Sequence, residues 1–131
     1  MTSVQPGMKT EFTIRVTGFA ASTLDGVWGM AEEAEDMGDE DAPIFRAVAT
    51  AYKGGALRFN REEADMIRHG LCELSNSEDG YAEERNHQLH DPEGVRMARA
   101  ACQGLVGLSR RIGEALRKAP APVLVARGRV A

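Results

Sequence analysis

Aromatic residues are scarce in this chain, with one Trp, two Tyr and four Phe in 131 residues. Ala, Leu and Val must therefore fill the core, which favours close helix packing over an aromatic-rich sheet. Long hydrophobic runs are missing as well. No stretch approaches the ~20 apolar residues of a membrane-spanning helix, and Met1–Lys9 lacks the basic start and apolar run of an export signal. Cysteine is limited to Cys72 and Cys102. Without an export signal, these read as reduced thiols of a cytoplasmic protein rather than as a bridge. There is no G-x-S-x-G, no P-loop and no G-x-G-x-x-G, so no motif argues for a nucleophile elbow or a nucleotide cofactor.

The chain is otherwise ordinary for a folded domain, with 43% apolar and 27% charged residues. Its length fits a single domain over 1–131, with a loose C-terminal tail over 119–131. Its charge, however, is sorted along the chain. Residues 1–50 carry three basic side chains against nine acidic ones, whereas residues 92–131 carry eight basic against two acidic. Such a chain is a dipole, which limits the partners that each end can approach.

Periodicity divides the chain into short strands and several helices. Phe12, Ile14 and Val16 alternate with Thr13, Arg15 and Thr17, which predicts a strand over 11–17 with one buried face. Thr23 reads as the cap of a helix over 24–37, with Val27, Trp28, Ala31 and Ala34 inward and Gly38 as the stop. Asp41 and Pro43 open a helix over 42–53, ended by Gly54-Gly55, and Ala56–Phe59 forms a second strand. Asn60 and Glu63 have capping-box spacing and start a helix over 61–74 whose core face is Ala64, Ile67, Leu71 and Leu74. The polar segment Ser75–His90 reads as the longest loop. Asp91-Pro92 then opens the longest helix, 92–118, and 123–126 is either a last short strand or part of the tail. The expected fold is α+β and helix-dominated, a small antiparallel sheet packed against three to four helices.

The last helix is strongly amphipathic. Ala98, Ala101, Leu105, Leu108, Ile112 and Ala115 step by three and four along one face. Arg96, Arg99, Arg110, Arg111 and Arg117 fall on the other side. This is either a core helix with a solvated basic back, or an interaction helix in which Leu105, Leu108 and Ile112 meet a partner or a second copy in a homodimer. The arginines are candidate phosphate contacts. Nucleic acid is disfavoured as a partner, because no aromatic is interleaved with the Arg face and the sequence pI is 5.4.

The second concentration of charge is acidic. Glu32, Glu33, Glu35, Asp36, Asp39, Glu40 and Asp41 follow one another with no basic residue between them. Several sit at the carboxyl end of a predicted helix, where negative charge opposes the helix dipole. The segment is a solvated acidic turn, or it pairs within the chain with Arg110, Arg111 and Arg117, or it is a surface that engages a basic groove on another protein. Asp36, Asp39 and Asp41 offer hard oxygen ligands, but the segment lacks the alternation and closing Glu of an EF-hand calcium loop.

All three histidines lie close to Cys72, as His69-Gly-Leu-Cys72 and His87-Gln-Leu-His90. Two pairs separated by such a gap are spaced as a zinc site would be, although three His to one Cys, with one pair in mid-helix, departs from the usual structural pattern. The same residues supply the one nucleophile-and-base arrangement that can be written, Cys72 with His87 or His90 oriented by Asp91, and nothing in the sequence draws them together. No cofactor is expected beyond that zinc alternative.

In general look, a short, acidic, Ala-rich chain with a brief strand and several helices, the sequence is similar to the small accessory proteins of bacteriophages and other mobile elements. That likeness implies a protein that binds and blocks a host protein, and it carries no functional residue across. The expected function is a non-catalytic protein-binding module: an acidic surface steers a basic partner and the last helix supplies apolar contact. The alternative is a zinc-stabilised or nucleic-acid-associated regulator built on the His/Cys cluster and the Arg face.

Overall fold

The computed structural model describes residues 11–84 and 91–119. Strand β1 (Glu11–Arg15) is followed by helices α1 (Gly18–Asp25), α2 (Val27–Asp36) and α3 (Ala42–Ala51). A hairpin of β2 (Tyr52–Lys53) and β3 (Ala56–Asn60) then leads into α4 (Ala64–Glu84) and α5 (Pro92–Lys118). The fold is α+β and dominated by helix, with a three-stranded antiparallel sheet in the order β1-β3-β2. Phe12 lies opposite Phe59 in the register, and the two rings stack with centroids 5.5 Å apart. The predicted strand over 123–126 and the tail beyond 119 fall outside the described residues.

Local chemistry explains most of the boundaries. Asn60 and Glu63 form a reciprocal capping box: Glu63 N–H donates to Asn60 Oδ1 (2.9 Å) and Asn60 N–H to Glu63 Oε1 (2.8 Å). Asp91 caps α5 by accepting from Gly94 N–H at 3.0 Å, with Pro92 as the first helical residue. Gly38, at φ +70°, ends α2 in a Schellman motif in which Asp39 N–H reaches Ala34 O and Gly38 N–H reaches Glu35 O.

Four expectations need correction. The helix predicted over 24–37 is two helices, broken at Gly26, and Thr23 lies inside α1, where its hydroxyl donates to Phe19 O one turn back. The helix predicted over 42–53 stops at Ala51, and Asp41 precedes it without a side-chain capping bond. Gly54 and Gly55 do more than stop that helix. With φ of +60° and +75° they form the two-residue turn that pairs Lys53 with Ala56. The loop expected from Ser75 is helical as far as Glu84. Ser75 and Ala82 are buried and continue the inward stripe of Leu71 and Leu74 with smaller side chains, so burial outweighs the poor helix propensity of Ser, Asn and Gly80.

One core runs through the described elements. Phe59 and Leu57 from β3, Leu24 and Val27 from α1 and α2, and Val48 from α3 meet Ile67, Leu71 and Leu74 of α4 and Leu105 and Ile112 of α5. Small residues set the helix spacing. A Cβ on Gly70 would strike the Val48 side chain and approach the Ile44 carbonyl oxygen to 2.8 Å, so α3 and α4 touch backbone to backbone. Gly104 does the same between α5 and α1, where a Cβ would come 2.9 Å from that of Ala20. Gly107 on the same helix faces open space.

These glycines predict opposite outcomes. Gly70→Ala overpacks a rigid crossing and should destabilise the fold by about 1–3 kcal/mol. Gly107→Ala removes only the conformational freedom of the unfolded chain and should stabilise by about 0.5–1 kcal/mol. Urea denaturation of the two variants beside the wild type measures both.

Candidate functional site

Helix α2 carries the acidic segment on its outer side. Val27, Ala31 and Ala34 are buried, which fixes the helix rotation and leaves Glu32, Glu33, Glu35 and Asp36 exposed. Asp39 and Glu40 are exposed in the following turn, and Asp41 is half-buried. No basic residue occupies the last turn of α2, so the carboxylates meet the negative end of the helix dipole without compensation from within the helix.

Trp28 is not inward, as its spacing predicted, but 47% exposed. It lies one step round from the buried stripe, where the Arg46 guanidinium covers its ring at 4.4 Å from the centroid. Arg46 also grips Glu35 through both its Nε and Nη2. On the other flank of α2, Met30 and Met37 are exposed and line a shallow groove with Phe45, Glu33 and Asp39. The acidic face is therefore edged by an aromatic on one side and two thioethers on the other. A further concavity of about 380 Å³ lies between α1 and the facing ends of α4 and α5, where Phe19, Tyr81 and Met97 are partly exposed.

The acidic residues do not pair with Arg110, Arg111 or Arg117. Among the described residues the segment has one ion pair, Glu35 with Arg46, and one turn hydrogen bond, from Asp41 N–H to Asp39 Oδ1 at 2.8 Å. The hydrogen bond from Arg46 holds the Glu35 carboxyl below its ordinary range, and the same contact raises the guanidinium.

The apolar seam assigned to a partner is consumed inside the fold. Leu105 and Ile112 are fully buried and Leu108 is 4% exposed, packed against α4 and the rest of the core. An amphipathic stripe cannot serve a partner and its own core at once, so these three residues leave the candidate interface. The arginines of α5 are all exposed, but they do not act as one face. Arg99 reaches Glu83 of α4 at 3.5 Å, Arg111 donates to the carbonyl of Arg15 at the end of β1, and Arg110 and Arg117 line a cavity with Arg68 of α4. Arg96 has no such contact among the described residues.

His69 and Cys72 are exposed on the outer side of α4, and both cysteines are free. His87 and His90 lie outside the described residues, so the zinc arrangement and the Cys72–His pairing do too. Among the described residues no three His, Cys, Asp or Glu side chains gather as a metal site. No helix there is long and apolar enough to cross a membrane.

Compared with protein-family models, with curated proteins and with solved structures, the chain finds no match. The site must therefore be read from its own chemistry.

The Glu35–Arg46–Trp28 stack predicts a pH response. A lowered carboxyl pKa means that the pair's stabilising contribution is present above the unfolded-state value of Glu and is lost as pH falls through the lower folded value. The emission of Trp28, the sole tryptophan, should change with a midpoint below the ordinary carboxylate range. Glu35→Gln should abolish that transition.

Proposed function

We propose that the chain is a small, non-catalytic protein-binding module of the cytoplasm that docks on a basic surface of another protein through α2 and the turn behind it. The observation that carries this reading is the composition of one exposed face. Glu32, Glu33, Asp36 and Glu40 form no ion pair among the described residues, Glu32 feeling Arg46 only through longer-range attraction, and Trp28, Met30 and Met37 stand beside them, Met37 being 77% exposed. Exposed apolar groups rimmed by one sign of charge are the usual make-up of a protein contact surface. Tryptophan anchors such contacts, and methionine adapts to their shape.

The carboxylates speed encounter with a basic partner and select against acidic ones. A face of this kind occupies the grooves in which a nucleic-acid-binding protein would otherwise hold phosphates. That is the blocking action expected of a mobile-element accessory protein. The cytoplasmic setting suits two free thiols.

Two variants test the reading by affinity capture from the native host, with the captured protein identified by mass. Glu32→Gln, Glu33→Gln and Asp36→Asn together leave the Glu35–Arg46 pair intact. They should weaken capture about tenfold or more at low salt and flatten its salt dependence. They should also leave the melting temperature unchanged or raised, since they remove charge that opposes the α2 dipole. Met30→Ser with Met37→Ser should weaken capture at every salt concentration. A partner retained undiminished by both variants overturns the assignment of this face. So does a salt-sensitive homodimer in sedimentation, which would make a second copy the occupant.

A further inference from the structure

Where α4 and α5 run side by side, three arginines line one cavity. Arg68 on α4 and Arg110 and Arg117 on α5 line a cavity of about 270 Å³, with Ser109, Cys72 and the half-exposed Val106 in its wall. Like charges lining one cavity repel one another. Such groupings are ordinarily relieved by carboxylates, yet none among the described residues pairs with any of the three.

Arg68 is held in place by the fold. Its Nε donates to Ser109 Oγ at 3.2 Å. Its guanidinium lies over Gly113, where a Cβ would come within 3.0 Å of Nη1. Gly113 is a poor helix former within α5, and its bare backbone gives that guanidinium a seat. A cation fixed in place, with its charge unanswered and two more beside it, is a preorganised anion receptor.

We propose that this cavity binds a phosphate monoester of a small molecule. A phosphoryl group carries between one and two negative charges near neutral pH and presents oxygens in the geometry that arginine forks match. At about 270 Å³ the cavity is larger than a bare phosphate fills. Val106 gives the remaining space an apolar wall against which the ester's organic part packs. The site lies on α4 and α5 rather than on α2, and it stands independently of the protein-binding face.

Calorimetry of the whole chain, in chloride buffer at low ionic strength, tests this with inorganic phosphate and phenyl phosphate as probes. Phenyl phosphate should bind more tightly than inorganic phosphate. Arg110→Gln with Arg117→Gln should weaken both by about tenfold or more. Arg96→Gln with Arg99→Gln removes the same charge from the other half of α5 and should change binding by less than about twofold. Both pairs are exposed, and a melting curve of each variant checks that it folds.

Alkylation of Cys72, resolved from that of Cys102 by peptide mass, should slow when phenyl phosphate is present. Several results overturn the proposal: no binding of either probe at millimolar concentration, equal losses in the two double variants, or an unprotected Cys72. Equal affinity for the two probes sinks the ester and leaves inorganic phosphate.

Discussion

Helix α5 can bury its apolar stripe only if its neighbours come close, and side chains of ordinary size on both sides would keep them apart. Gly104 lets α1 reach α5, and Gly70 lets α3 reach α4. With few aromatic rings to span gaps, these approaches let Ala, Leu, Val and Ile fill the interior. Everything outward-facing follows from that packing. The rotation of α2 is set by Val27, Ala31 and Ala34, which leaves its carboxylates in solvent. The facing of α4 and α5 is what places Arg68, Arg110 and Arg117 along one cavity.

The charge division along the chain becomes two separate surfaces once folded. The acidic face belongs to α2, which packs on α3, whereas the arginines belong to α5, which packs on α4 and α1. The main local neutralisation of the acidic segment comes from Arg46 in the adjoining helix, a residue within the acid-rich half of the chain. Among the described residues the two ends therefore do not pair with one another. As proposed above, the acidic face takes a basic protein and the arginine-lined cavity a small anion.

Much of the fold was legible in the sequence where the signal was local. The capping box at Asn60, the cap at Asp91 and the glycine stop at Gly38 each depend on a few adjacent residues, and all three are formed. The stretch 75–84 hid its helix because the inward positions after Leu74 are Ser75 and Ala82, which carry little hydropathy. Strand β2 was hidden because two residues are too few to show a period, although the paired glycines after it were a hairpin signal.

The site was legible only in part. Seven clustered carboxylates are visible in any reading, and the exposure of most of them follows from the α2 stripe. An apolar stripe looks the same whether it meets its own core or another protein, so the fate of Leu105, Leu108 and Ile112 needed the tertiary structure. Arg68 was missed for a related reason. It is a lone arginine on a helix otherwise read for its histidine and cysteine, and its importance comes from Gly113 and Ser109 more than forty residues away.

The core's reliance on α5 also bears on how the chain is made. A ribosome releases the amino-terminal elements first, at about 5–20 residues per second. Until Ala98–Ile112 have emerged, the sides of α1 and α4 that face α5 have nothing to pack against. For those seconds the nascent chain exposes the surface that is best hidden afterwards. A truncated transcript ending before α5 would yield a polypeptide suited to chaperones and proteases rather than a smaller working protein.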